Sequence, residues 1–344
     1  LVEEGIYMPK IIDSFNNQSF NVAGNAGVIL NKKQIDSGMA FLTGELEKRD
    51  NTLNEPLTST TYARDIVINT GGGWVETTSN MYADYAGSGD NTNGLIRGQS
   101  NNIPIIQTNV TKDVYKVYPW SNVLKVNYID QQKLQGIGRP LDNMLDNGIK
   151  LNYNKTLDYM TYEGIPEDQV YGLINNPEIT ATLVSTGAGG NTTWETKTAD
   201  EILMDINLLI TKTWAQSEYD LSGMANHILL PPEKFTLLAT RKVSEAADKT
   251  ILKYVMENNI AAQKGQNLVI DECRWCIGAG TSKKHRMLAY VNAKNRTELD
   301  LPVPMTRAMT EASGKDLCYY TPFVANIGQV KFLYLQCAMY GDGI

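Results

Sequence analysis

The stretch YIDQQKLQGIGRPLDNMLDNGIKLNYNKTLDYMTYEGIPEDQVYGLINNPEI, residues 128–179, decides the architecture. Apolar side chains fall at Leu134, Ile137, Leu141, Met144, Leu145, Ile149, Tyr153, Leu157 and Met160. Their gaps of mostly three and four lay one stripe along an α-helix, broken once near its start. Pro140 sits where a helix can restart, because its missing N–H would have no partner in a first turn anyway. From Pro140 to Glu163 such a helix runs about 36 Å. That exceeds what the core of a small domain needs and suits a beam stiffening a large, flat subunit with many contacts. A Gly-Leu-Ile-Asn-Asn-Pro turn, Gly172 to Pro177, follows it.

Upstream of the beam the pattern changes to strand. Ile66-Val67-Ile68 is β-branched, Gly71-Gly72-Gly73 lets the chain bend, and Trp74 to Tyr85 alternates loosely. Ala86 to Gly94 has the composition of a loop tip, and Ile103 to Val110 returns. This predicts a long hairpin with too few apolar residues for a private core, marginal unless it lies on another surface. Val114 to Val126 is expected as a further strand. Residues 1–50 predict an extended arm ending in a helix from Gly38 to Arg49, and residues 51–60 a connector.

Downstream, residues 180–198 are rich in Gly and Thr and are expected as an exposed excursion. Ala199 to Trp214 predicts a helix capped by Thr198 or Asp200, with Ile202, Leu203, Ile206, Leu209 and Ile210 on one face. Ile228-Leu229-Leu230 before Pro231-Pro232-Glu233 predicts a buried strand and a short helix. Residues 250–258 predict a helix, and 268–270, 286–291 and 330–338 predict strands.

The 344 residues allow two or three domains, and a 42% apolar fraction supports real cores. Thirty-one basic against 38 acidic residues give a net charge of −7, which argues against gripping nucleic acid through its phosphates. Enclosing nucleic acid stays open. No apolar run is long enough for a membrane span, and Leu1-Val-Glu-Glu-Gly5 does not resemble a secretory leader. Tyrosine (18) far outnumbers phenylalanine (6), as suits surfaces buried against neighbours.

No catalytic constellation emerges. Only His227 and His285 are present, one beside an apolar strand and one in a basic turn, and a structural or solvated role accounts for each. Gly278 to Lys284 lacks phosphate-loop spacing. Cys273-Arg-Trp-Cys276 is a single C-x-x-C that Cys318 and Cys337 do not complete into a zinc set, so all four read as free thiols. Asp84 and Asp90 match no calcium-loop spacing. The hairpin tyrosines could stack nucleic-acid bases, but Arg97 is the one basic residue between Val67 and Thr111, which favours packing at an interface. Catalytic, cofactor and metal residues are therefore expected to be none. Trp74, Tyr82, Tyr85, Arg97, Tyr115 and Trp120 are expected at contacts between subunits.

In element order the chain resembles the major capsid proteins of tailed bacteriophages, which have the Hong Kong 97-type fold. The resemblance covers Phe41 to Ile344. It rests on Gly73-Trp74-Val75-Glu76 with Tyr82-x-x-Tyr85-Ala-Gly, Ile103-Pro-Ile-Ile106, Tyr171-Gly-Leu-Ile-Asn-Asn-Pro177, Ile228-Leu-Leu-Pro-Pro-Glu233, Arg286-Met-Leu-Ala-Tyr290 and Tyr340-Gly-Asp-Gly-Ile344. Each motif alone is weak; their order and spacing are specific. The resemblance implies an α+β subunit. Residues 1–61 would be an N-terminal arm and connector, 62–112 the extended hairpin loop, and 113–180 a peripheral domain with the spine helix. Residues 181–301 would be an apical domain, and 302–344 a return to the peripheral and apical sheets.

It further implies a non-enzymatic protein that self-assembles through pentamers and hexamers into an icosahedral shell. That shell would enclose double-stranded DNA without sequence-specific binding. Portal, scaffold and decoration proteins are the partners it suggests, with assembly in the host cytoplasm, residence in the virion, and no membrane or cofactor. Some members weld subunits by a lysine–asparagine bond whose lysine lies on the extended loop. Here no lysine lies between Val67 and Thr111, so non-covalent closure is expected. The alternatives are an encapsulin-like cargo compartment, a soluble enzyme using Glu233, Asp271 and Glu272, and a decoration or tail-tube subunit.

Overall fold

The strands from Ile228 to Leu230 and Met287 to Tyr290 read as unbroken apolar runs because their sheet is covered on both faces. The computed structural model describes residues 58–88, 105–136, 141–244 and 248–344. The expected N-terminal arm, the 38–49 helix, most of the hairpin tip, Arg97 and Pro140 lie outside the described residues. Residues 59–344 form one compact unit, described below.

The elements in order are α1 (Tyr62–Asp65), β1 (Val67–Thr70), β2 (Thr77–Ser88), β3 (Ile105–Asn127), α2 (Tyr128–Gly136), α3 (Leu141–Tyr162), β4 (Gly164–Ile165), β5 (Val170–Tyr171) and β6 (Ala181–Leu183). Then follow α4 (Ala199–Gln216), β7 (His227–Leu230), α5 (Pro232–Thr240), α6 (Ile251–Asn258), α7 (Ile260–Gln263), β8 (Val269–Glu272) and β9 (Arg286–Tyr290). The last strands are β10 (Thr297–Leu301), β11 (Val303–Arg307), β12 (Glu311–Ser313), β13 (Cys318–Gly328), β14 (Val330–Phe332) and β15 (Ala338–Asp342). Among the described residues the sheet orders are β1-β10-β14, β11-β13-β3-β2 with β12 on β13, β6-β15-β9-β7-β8, and β4-β5.

The central β6-β15-β9-β7-β8 sheet separates two cores. Leu229, Leu288, Tyr290, Ala338 and Tyr340 point to one side, where they meet Leu157, Tyr162 and Leu173. Ile228, Leu230, Met287, Ala289 and Met339 point to the other, against Ile202, Ile206, Leu209 and Ile210 of α4 and Val255 of α6. This is the period-two alternation of a strand with both faces buried. The N-terminus of α4 carries a full capping box: Thr198 accepts from the Glu201 N–H, and the Glu201 carboxylate accepts from the Thr198 N–H.

The spine helix α3 buries Ile149, Tyr153, Leu157 and Met160, and Trp120 of β3 packs edge-on against Tyr153 with ring centroids 5.1 Å apart. Asp158, also buried, ties this helix to two distant segments. Its Oδ1 accepts from the Thr61 and Tyr62 N–H groups at 2.8 and 3.2 Å, and its Oδ2 from Arg274 and Trp275 at 2.9 and 3.0 Å.

Three expectations need correction. Residues 180–198 are not simply exposed, because Trp194 and Lys197 are fully buried and both donate to Asp205 of α4. A buried carboxylate demands such donors, and they pin the stretch down. The strands expected at 103–110 and 114–126 are one continuous strand, β3, whose first half pairs with β2 and whose second half pairs with β13. The boundary expected at 112/113 therefore falls inside β3. Finally, the strand expected over 330–338 is broken, with a 3-10 turn at Leu335–Cys337 between β14 and β15.

β15 is locked by Asp342. Arg286 donates to both of its oxygens at 2.7 and 2.9 Å, and the Thr281 N–H and hydroxyl donate at 2.9 and 2.8 Å. Burial alone would raise this carboxyl's pKa, but the Arg286 and Thr281 donors outweigh it and hold it below the ordinary carboxylate value. A carboxyl depressed in the native state binds fewer protons folded than unfolded. Its stabilisation is therefore complete above the unfolded value, near 3.9, and is lost as pH falls through the lower native value. Asp342→Asn should cost about 3 kcal/mol at neutral pH. Urea titrations of the two proteins should converge in acid below the ordinary carboxylate range, and a deficit that persisted unchanged there would contradict the assignment.

Candidate assembly surface

In the β2–β3 hairpin, residues directly opposite one another share a face, and successive residues alternate faces. The register Met81↔Lys112, Ala83↔Val110, Tyr85↔Thr108 and Gly87↔Ile106 places Met81, Tyr85, Val110 and Ile106 together. These four side chains are 63–75% exposed. Registers Tyr82↔Thr111, Asp84↔Asn109 and Asn80↔Asp113 give the opposite face a polar character. The hairpin is thus amphipathic, with its apolar face turned away from its own subunit.

The polar face looks inward over a groove of about 850 Å³, walled by Tyr82, Asp84, Asp113 and Tyr115 on one side and Glu178 and Tyr334 on the other. Tyr82 meets the Tyr334 ring edge-on at 6.4 Å, and the Lys331 ammonium stands 5.0 Å from the Tyr115 ring. Burial, with the Tyr82 hydroxyl beside it, pushes the Tyr115 phenol well above its ordinary pKa.

The root of the hairpin is held by hydrogen bonds. Asn326 of β13 donates to the Val75 carbonyl at 2.8 Å, and the Val117 N–H donates to Glu76 at 3.1 Å. Just before it, Gly71, Gly72 and Gly73 take φ of 119°, 113° and 74°, values open to glycine but strained for other residues. Trp74 follows, 62% exposed.

An amphipathic ribbon with its apolar side outward fits a subunit designed to meet copies of itself. A family model described as the major capsid protein matches residues 92–344. The chain belongs to the major capsid protein family. It is a structural, shell-forming subunit of a capsid. No curated protein matches it by sequence. Among solved structures, the capsid of Myoviridae phage XM1 aligns with a TM-score of 0.73 at 16% identity, over 88% of this chain and 98% of that one. The capsid of a native GTA particle aligns at 0.57 and 12%, over 89% and 98%. That of Microbacterium phage Oxtober96 aligns at 0.55 and 13%, with the same coverages. The fold is α+β, of the Hong Kong 97 capsid type.

In this capsid protein the residues expected at subunit contacts divide. Tyr85 and Trp74 point their bulk to solvent. Tyr82 and Tyr115 spend much of theirs on the subunit's own groove, and Trp120 packs on the spine helix. Sequence reasoning missed Met81, Ile106 and Val110, although their spacing of two is a readable strand signal.

The carboxylates of the enzyme alternative do not converge as a site. Asp271 and Glu272 pair with Arg64, whereas Glu233 is exposed and faces His285 at 3.8 Å. Cys273 and Cys276 are buried free thiols, Cys273 just before and Cys276 at the end of the 3-10 turn Arg274–Cys276. The Cys273 sulfur and burial together push the Cys276 thiol up, away from reactivity. One cluster escaped the sequence reading: Asp65, His227 and Asp271 converge although they are distant along the chain. Among the described residues no helix is long and apolar enough to cross a membrane.

Proposed function

We propose that this capsid protein closes through pentamers and hexamers into an icosahedral shell around double-stranded DNA, assembled in the host cytoplasm and carrying out no catalysis. The observation that supports this best is the outward apolar face of Met81, Tyr85, Ile106 and Val110. In a free subunit that face is an exposed strand pair of the kind that invites association; on a neighbouring copy it becomes ordinary core. Closed symmetry repeats one such contact around the whole particle.

In this reading residues 1–61 reach along the shell and, within 62–112, the β2–β3 hairpin lies on the neighbour by its apolar face, while residues 62–70 stay with the subunit's own core and β10. Residues 113–180 and 302–344 form the peripheral region, and 181–301 most of the apical region. Trp74, Tyr85 and Arg97 join the apolar face as contact residues; Tyr82 and Tyr115 hold the hairpin over its own groove, and Trp120 holds β3 on the spine helix. Portal, scaffold and decoration proteins complete the particle. The net charge of −7 keeps the subunit from gripping the packaged DNA.

Sedimentation of the purified full chain tests the proposal. Particles far heavier than a hexamer are expected, and a species that stays monomeric at high concentration would refute it. Because no lysine lies between Val67 and Thr111, boiled shells should run as one monomer band on a denaturing gel. A ladder of higher bands would show covalent closure instead.

A further inference from the structure

We propose that Asp65, His227 and Asp271 form a binding site for one divalent transition-metal ion, zinc by its donor set, at the junction of α1 with the central sheet. Asp65 ends α1. His227 opens β7, and Asp271 lies on the parallel neighbour β8, where Leu229 is its register partner. Asp65 is fully buried and His227 is 4% exposed. The His227 Nε2 has no hydrogen-bond partner. It stands 3.6 Å from Asp65 Oδ1 and 3.7 Å from Asp271 Oδ2, and the donor atoms of the three residues all lie within 4.8 Å of one another.

Those spacings are too long for hydrogen bonds. They fit the edges of a coordination shell, since donors about 2.1 Å from a zinc ion at tetrahedral angles stand about 3.4 Å apart. One imidazole and two carboxylates leave a fourth position for water. The donors are also held from behind, as ligands of bound metals usually are. Tyr162 donates its hydroxyl to Asp65 Oδ2, Tyr290 donates to the Asp65 carbonyl, and the Tyr290 ring lies 5.2 Å from the His227 ring.

Arg64 is the competitor. Its Nε donates to Asp65 Oδ1 at 2.6 Å and stands 3.4 Å from Asp271 Oδ2, so the guanidinium supplies the positive charge these carboxylates face. Its Nη2 also reaches Asp65 Oδ2 at 3.2 Å. The Arg64 side chain is 35% exposed and already bonds outward to Glu272, at 2.8 Å to the carboxylate and 2.7 Å to the carbonyl. A metal ion would displace it toward those partners. The exchanged cation would fasten the segment leading into the hairpin to two strands of the central sheet.

The test is titration of the EDTA-treated full chain with Zn²⁺, followed by calorimetry and thermal melting, with Mg²⁺ as the control. Expected are one saturable zinc per chain, a raised melting temperature, and no comparable response to Mg²⁺, which prefers octahedral oxygen ligands. Arg64→Gln should bind at least tenfold tighter, and His227→Gln at least tenfold weaker. Zinc-edge X-ray absorption should find only nitrogen and oxygen neighbours near about 2.0 Å. Absence of saturable binding in both wild type and Arg64→Gln would overturn the site. So would unchanged affinity in His227→Gln, or sulfur at about 2.3 Å, which would assign the ion to the Cys273 and Cys276 thiols. If His227→Gln fails to fold, the Arg64→Gln affinity and the absorption spectrum decide.

Discussion

Met81→Asp combined with Val110→Asp should abolish shell formation and leave a folded, soluble subunit. Both side chains are largely exposed in the subunit, and exposed substitutions of this kind change stability by no more than about 0.5 kcal/mol. Assembly is different. Removing two buried apolar side chains forfeits roughly 3–6 kcal/mol at each contact. That weakens each contact roughly a hundred- to ten-thousand-fold. Two carboxylates without partners would also have to be desolvated there, adding to the loss. Because every copy repeats the defect, the equilibrium moves wholly to free subunits. Circular dichroism should match wild type while light scattering finds no particles. Wild-type particles from the double variant would show that this face is not an assembly contact.

The second large effect lies at Gly172, where the chain folds back onto the end of the spine helix. The Leu173 and Ile174 N–H groups donate to the carbonyls of Thr161 and Tyr162 at 2.8 and 3.2 Å, and Asn175 bridges the Gly172 N–H and the Glu163 carbonyl. A Cβ at position 172 would lie 2.3 Å from the carbonyl carbon and oxygen of Tyr162. That obstacle is backbone, which cannot rotate aside. Gly172→Ala should therefore cost more than about 4 kcal/mol, or leave the chain insoluble. Gly148, on the exposed side of α3, meets nothing within 4 Å. Gly148→Ala should stabilise by about 0.5–1 kcal/mol, because alanine favours the helix and glycine does not. Denaturant titration of both variants checks the pair; equal effects would contradict this account of the turn.

Much of this fold was legible where one face of an element is buried and the other is wet. The stripe Ile149, Tyr153, Leu157 and Met160 marked α3, and Thr198 or Asp200 marked the start of α4, of which Thr198 is the cap, because helix periodicity and capping are local. The burial of β7 was legible in the apolar run Ile228-Leu229-Leu230, and β9 was legible as a strand. Composition misled at residues 180–198, where Gly and Thr suggested solvent while Trp194 and Lys197 answer the buried carboxylate of Asp205. β3 was split because Thr111, Lys112 and Asp113 look like a loop. Thr111 and Asp113 face the open groove and Lys112 faces outward beside Met81, so none of the three meets an apolar demand from its own subunit and polarity there says nothing about a break. The cluster of Asp65, His227 and Asp271 had no signature in spacing, since only the packing of α1 onto β7 and β8 brings it together.

A cryo-electron-microscopy reconstruction of the assembled particle tests the central claim most directly. The expected map is a closed shell in which Met81, Tyr85, Ile106 and Val110 of each subunit press against a neighbouring copy, with Tyr82 and Tyr115 still over their own groove. A shell in which that apolar face meets only solvent would contradict it.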